Sequence, residues 1–373
     1  MTTEGAGDLV ALLPGDQSAI WPYDEPDAAF SKEAAAIRDL VCLSNKAESE
    51  RVQAAVDDLL SDLKTDAPSE ERARVLVSAV VYEGRESVSH LMGISGRYLS
   101  VLRSVMGGED EQRAACDSVI KVWANCRQNV VLVLDKFVSM KLVSPFALVR
   151  WLLASYDDCL DKQDFVWEVL HLTIAKPLAL VERVKADLEA AEQEAKEMRE
   201  RPGDTEEMDL VQEKEERIGK IRAVLKTARE DEEDLMTLVV QKLILCAGEC
   251  SEKAAKERDD MDNGDDDDLS DRGRGDDSDA GGRSDGDDDD DDDDDGGGRR
   301  KRKRAASRFQ KGSVHSVWLG IFSGRIHEIG RRYAKLLGSC DEAIQDTIAD
   351  EEVSEPAIEN ALAAMRSVYK TLV

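Results

Sequence analysis

Stacked antiparallel helical hairpins, an all-α solenoid, are the architecture that this sequence predicts, and three observations predict it. The 373 residues are 42% hydrophobic but only 5% aromatic, long enough for more than one core and lean in the residues that build β-sandwiches. Apolar residues recur at three-four spacing almost everywhere, while strand-like alternation is nowhere sustained. Breakers stand where such helices must turn, at Gly107-Gly108 and Ser144-Pro145.

Taken in order, residues 1–30 read as a flexible N-terminus. Their short apolar run has no basic stretch ahead of it, unlike a secretory signal. Helical rhythm then fills 31–46, 49–64 and 69–83. Ser31 and Ser69 are placed to cap, and Glu33, Glu70 and Glu71 lie in first turns, where the helix dipole favours them. The pattern continues through 86–106, 109–125, 128–141 and 143–154, so that 31–176 forms the first part of a helical-repeat domain.

After Pro177 the period changes. Val181, Val184, Leu188, Ala191, Ala195 and Met198 keep a 3-4 spacing, RPGD turns at 201–204, and Val211, Ile218, Ile221, Leu225, Ala228, Leu235 and Val239 resume the frame. Residues 177–251 therefore read as a projecting antiparallel coiled-coil hairpin. Residues 252–311 are Asp, Gly, Ser and Arg with almost nothing to bury, which predicts a disordered insertion. Val317, Trp318, Ile321, Phe322, Ile326, Ile329 and Tyr333 mark an amphipathic helix over 313–337, followed by shorter ones at 340–350 and 355–372. Segment 312–373 thus closes the same domain.

Charge narrows the function. The formal net charge is -30, and residues 259–295 hold 21 Asp against 3 Arg. A body this acidic repels phosphate, which argues against non-specific nucleic-acid binding as the main activity. Seven scattered cysteines, an odd number, imply reduced thiols inside a cell. Cys246 and Cys250 have i, i+4 spacing but no nearby histidine, so no metal site is predicted. No run approaches the ~18 apolar residues that would span a bilayer, so no membrane partner is expected.

The search for chemistry returns no catalytic, cofactor-binding or metal-ligating residues. There is no phosphate-cradling loop, no HExxH and no nucleophile elbow, and His90, His171, His315 and His327 are far apart. Glu168 and His171 share a helix flank at i, i+3, where a structural role is expected. Cys159 follows Asp157 and Asp158, whose charges disfavour its thiolate. One functional run does stand out. Arg299, Arg300, Lys301, Arg302, Lys303 and Arg304 form the strongest basic cluster, a nuclear-localisation candidate that an import receptor would read; the alternative is a charge-balancing segment that folds back on the Asp run.

Residues 119–153, VIKVWANCRQNVVLVLDKFVSMKLVSPFALVRWLL, followed by FVWEVLHLTIAK at 165–176, carry a family pattern. Val122-Trp123, then Leu132 to Lys136 with Asp135 and Lys136, then Trp151, then the block Phe165, Trp167, Glu168 and His171, occur in the order and spacing seen in the large subunit of the nuclear cap-binding complex. The upstream SVSHLMGISGRYLSVL at 87–102 is similar to that family's Ser-aromatic-Ser-His helix, with Val88 in place of the aromatic. The chain resembles the family's third helical domain, and the resemblance implies a form without the family's first two.

The resemblance implies a stack of hairpins of the HEAT/ARM type, like the middle domain of initiation factor 4G. It also implies a non-enzymatic, nuclear scaffold without cofactors, with shuttling to the cytoplasm compatible with that role. A small cap-binding subunit with an RNA-recognition fold would hold the 7-methylguanosine cap, so that capped RNA is bound indirectly. Expected roles are mRNA processing, splicing, export and decay, including nonsense-mediated decay. The motif residues are expected to mark helix packing. The alternative is an acidic nuclear chaperone or histone-binding module whose working part is the Asp tract.

Overall fold

The structure is a computed structural model that describes residues 17–25, 28–43, 49–63, 67–154, 163–200, 205–263, 314–350, 362–363 and 366–367. Every regular element among the described residues is helical. The chain divides into two compact units, residues 1–242 and 243–373.

The first unit contains α1 (Ser31–Leu43), α2 (Ser49–Leu63), α3 (Ser69–Glu83), a 3-10 turn (Gly84–Glu86), α4 (Val88–Arg97) and α5 (Leu99–Val105). These are followed by α6 (Glu109–Val122), α7 (Arg127–Ser139), α8 (Pro145–Leu152) and α9 (Gln163–Arg199). The long α10 (Thr205–Asn263) begins in this unit and ends in the second. The second unit adds α11 (Val314–Arg332), α12 (Ala334–Ser339) and α13 (Asp341–Asp350). There α11 packs on α12 and α12 on α13, around Phe322, Ile326, Ile329, Leu337 and Ile344.

Helix α3 is the hub of the first unit. Ala73 and the unbroken run Val75 to Val81 are all buried, because α1, α4, α5 and α6 pack around it. Full burial of a Val or Leu side chain is worth about 1.5–3 kcal/mol, so this single helix carries a large share of the core. Its end is set by Gly84, where a Cβ would lie 2.8 Å from Leu91, so only glycine lets α4 come this close.

Local signals decide several boundaries. Ser144 accepts from the Ala147 amide at 3.0 Å, with Pro145 in the first turn of α8, and Ser87 accepts from the His90 amide at 3.1 Å to cap α4. Ser69, expected as a cap, lies inside α3, and Pro68 precedes it without a side-chain cap bond. The helix expected over 86–106 is broken at Ser87 and Tyr98. Helix α7 closes on Lys141, whose φ of 58° lies in the left-handed region, with the Leu142 amide returning to the Phe137 carbonyl at 2.9 Å.

Three expectations differ more substantially. Residues 17–25 and 28–30, assigned by sequence to a flexible N-terminus, form an ordered strap. Trp21 is buried, 5.3 Å from the Tyr82 ring and under the Arg38 guanidinium, and the Ile20 amide donates to the Val122 carbonyl at 2.8 Å. One aromatic anchor holds a segment that has no helical period to reveal it. Pro177, expected as a boundary, sits inside the continuous α9. Its lost hydrogen bond costs ~3 kcal/mol in an isolated helix, but α9 is packed on both sides of it, on α7 and α8 before and on α10 after. Helix α10 also runs to Asn263, past the predicted start of the insertion at 252, through a stretch rich in Glu, Lys and Ala that favour helix.

Residues 264–313, including most of the insertion and the basic run Arg299 to Arg304, lie outside the described residues, as does the turn at 201–204.

Candidate functional site

The motif residues come together around α6 to α9, and they take three different roles. Trp123, Phe165 and Trp167 are buried core residues. Glu168 is exposed and His171 half-buried on the same helix, so the flank pair has no enclosed site around it. The Arg127 guanidinium lies 5.6 Å from the Phe165 ring, tying the start of α7 to the start of α9.

Asp135 is an ionic tie. Its carboxylate meets Lys136 at 3.0 Å and Lys176 of α9 at 2.6 Å, and Lys176 also donates to the Ser139 hydroxyl at 2.8 Å. Partial burial pushes this carboxyl up, but the bonds and charges of Lys176 and Lys136 outweigh it and leave the Asp135 carboxyl below its ordinary range. Helices α7 and α9 are thereby pinned at one register.

Trp151 is a hydrogen-bond donor. Its indole donates to Asp117 at 2.8 Å; Asp117 pairs with Arg74 at 3.4 Å, and Arg74 with Glu71 at 3.5 Å. Glu71 in turn accepts from the Tyr23 hydroxyl at 3.1 Å. This polar chain runs from α8 through α6 and α3 to the strap. Burial, with the Glu71 carboxylate alongside, pushes the Tyr23 phenol well above its ordinary range, so it remains a neutral donor. Sequence reading singled out Trp151 and saw Glu71 only as a first-turn residue, but missed Tyr23, Arg74 and Asp117. For Arg74 and Asp117 the only signal was a charge next to apolar positions of a helix.

The strap end of this chain borders a cavity of about 820 Å³ between the strap, α3 and α6. The two helices run parallel: Ser69 reaches Glu111 where both begin, and the Ser118 hydroxyl donates to the Arg74 carbonyl at 3.3 Å farther along. That Ser69 bond holds the Glu111 carboxyl below its ordinary value.

Residues 182–235 build a second polar surface. Val181, Val184, Leu225 and Ala228 form one cluster in the seam between α9 and α10, and Ala191, Ala195 and Ile218 another. Glu192 with Arg222 at 2.6 Å, Glu194 with Lys214 at 3.2 Å, and Arg199 with Glu215 cross the seam, so the helices are antiparallel. Glu232 is buried in the same stretch, and desolvation pushes its carboxyl up.

Among the described residues, no group of three or more His, Cys, Asp or Glu is placed to hold a metal ion. Nor is any helix there long and apolar enough to cross a membrane. Cys42, Cys116 and Cys126 are free thiols, and burial pushes the Cys116 thiol far up.

A stack of helices joined by interlocked polar ties is a helical-repeat domain. The chain belongs to the MIF4G-like family, whose model matches residues 21–312. That match begins at Trp21, the residue that anchors the strap. Among curated proteins the chain is similar to nuclear cap-binding protein subunit 1-B of Xenopus laevis, 22% identical over 246 residues, 63% of this chain and 31% of the relative. It is likewise similar to nuclear cap-binding protein subunit 1 of Gallus gallus, 21% identical over 245 residues, 63% of this chain and 31% of the relative. With the Homo sapiens protein of that name it is 22% identical over 190 residues, 49% of this chain and 24% of the relative. The chain spans about a third of the length of the first relatives it matches. Their names are those of nuclear cap-binding proteins.

Proposed function

We propose that the chain is a non-enzymatic scaffold subunit of a nuclear cap-binding complex, corresponding to the third helical domain of its relatives. The observation that carries this reading is the similarity over 63% of the chain to proteins named as cap-binding subunits. It is supported by the packing of the motif residues into the α6 to α9 layer, where they brace helices. In this reading a small subunit with an RNA-recognition fold holds the 7-methylguanosine cap, and the chain supports it and recruits factors for splicing, export and decay. The hairpin over 177–251 and the Asp-rich insertion serve as separate surfaces of the same domain. The basic run Arg299 to Arg304 supplies nuclear entry through an import receptor.

Retention on immobilised cap analogue tests the proposal, with and without a co-expressed small subunit. The chain is expected on the resin only when the small subunit is present. Absence in both cases, with the small subunit itself retained, sinks the scaffold reading. A fluorescent fusion with residues 299–304 changed to Ala tests the localisation and is expected to shift to the cytoplasm. An unchanged nuclear signal in cells lacking the small subunit places the import determinant elsewhere.

A further inference from the structure

The cavity between the strap, α3 and α6 is walled in part by the polar ties, and its size is that of a ligand site. Its charges are sorted by position. Arg74 is held by Glu71 and Asp117, and exposed Arg113 by Asp110 at 3.1 Å. Two lining charges have no ion pair among the described residues. Glu70 meets the Ser69 hydroxyl at 3.4 Å but no cation among the described residues, and the exposed Lys121 has no ion pair among them.

Because α3 and α6 run parallel, Glu70 marks the end of the groove where both helices begin, and Lys121 the end where α6 finishes. Helix α3 lines the groove from Glu70 to Ser78, about 12 Å at 1.5 Å per residue, which matches three to four residues of extended chain. Between the charged ends the lining combines Pro22, Ala28 and Ala29 of the strap with the paired Arg74 and Arg113 and with Ser78 and Ser118, and Ile20, 40% exposed, lies beside the Lys121 end. Opposite charges at the two ends, with the charges between them already paired, are complementary to an extended peptide that is basic at one end and acidic at the other. Peptide chemistry is further supported by the strap, an irregular segment already held by these two helices through its Ile20 amide and Tyr23 hydroxyl.

We propose that this groove docks a short extended segment of a partner protein, with a basic residue at Glu70, an uncharged middle, and an acidic residue at Lys121. The assignment is independent of the cap-binding reading.

The test uses the full chain and a fluorescein-labelled peptide, Gly-Arg-Val-Val-Asp-Gly, titrated by fluorescence anisotropy. Saturable binding that weakens with added salt is expected. Lys121→Glu turns one attraction into a repulsion at an exposed position, and is expected to lower affinity about tenfold. A peptide with Lys in place of Asp is expected to recover binding on that variant, to within about threefold of the parent pair. Glu70→Lys with Asp in place of the peptide's Arg repeats the exchange at the other end.

No saturable binding up to ~1 mM overturns the proposal, as does a Lys121→Glu variant that remains folded by circular dichroism and binds the parent peptide unchanged. Displacement by 8-aminooctanoate at equal concentration also overturns it, because that ligand has the end charges without the peptide backbone and would assign the groove to small zwitterions.

Discussion

The helical stack and the long hairpin are made from the same kinds of residue, yet they hold together differently. In the stack, Val75, Leu76, Val77, Leu134 and Phe137 are wholly buried, and the polar ties reach between helices distant in sequence, as Lys176 does to Asp135 and Trp151 to Asp117. In the hairpin the seam is a thin row of two small clusters, Val181, Val184, Leu225 and Ala228 in one and Ala191, Ala195 and Ile218 in the other, and its cross-links are exposed; Arg222 and Glu192 are 62% and 43% exposed. Stability in the stack comes from burial that salt cannot screen. In the hairpin a larger share comes from pairs that salt can screen. The stack is therefore suited to rigid support, and the hairpin to presenting charge.

The sharpest contrast is expected from Trp167→Ala, which opens a cavity in the stack and should lower unfolding free energy by about 3–5 kcal/mol in denaturant titration. The same experiment on Glu168→Gln, one residue along on the exposed face, should show almost no change. Equal losses would mean that Glu168 does more than face solvent.

Asp135→Asn comes next. It leaves Lys176 and Lys136 without their carboxylate, and a loss of about 1.5–3 kcal/mol is expected for a charged hydrogen-bonded tie. Its pH dependence has a definite sign. The folded Asp135 carboxyl lies below its ordinary value, so its contribution is present above the unfolded value and lost as pH falls through the folded one. The gap between parent and variant should therefore close in acid, and a gap that widens there would rule out the tie.

Glu232 carries the opposite sign. Burial raises its carboxyl, so the charged form costs stability at neutral pH and the cost disappears below the unfolded value. Glu232→Gln is expected to stabilise the hairpin by about 1 kcal/mol at pH 7 and to give no advantage in acid. Thermal melts at the two pH values decide this.

The smallest effect is expected at the hairpin surface. Glu192→Gln removes the pair with Arg222 and should change stability by less than ~1 kcal/mol, falling toward nothing as salt is added. A larger, salt-independent loss would erase the distinction between the two regions.

Much of the architecture was legible in the chain itself. Three-four apolar spacing is a local property, so helix type follows from it at α1 to α3 and α6 to α8, and Ser144 before Pro145 sets a helix start by chemistry that needs no distant partner. The order of Trp123, Asp135, Trp151 and the 165–171 block was also in the sequence, and with it the family. Tertiary structure alone decided the rest, because it turns on partners far apart in the chain. Trp21 orders a strap only because Tyr82 and Arg38 are there to receive it, and α9 continues through Pro177 only because both flanks are packed. The groove exists only because α3 and α6 lie parallel, which brings Glu70 and Lys121, unremarkable surface charges in the sequence, to opposite ends of one cavity.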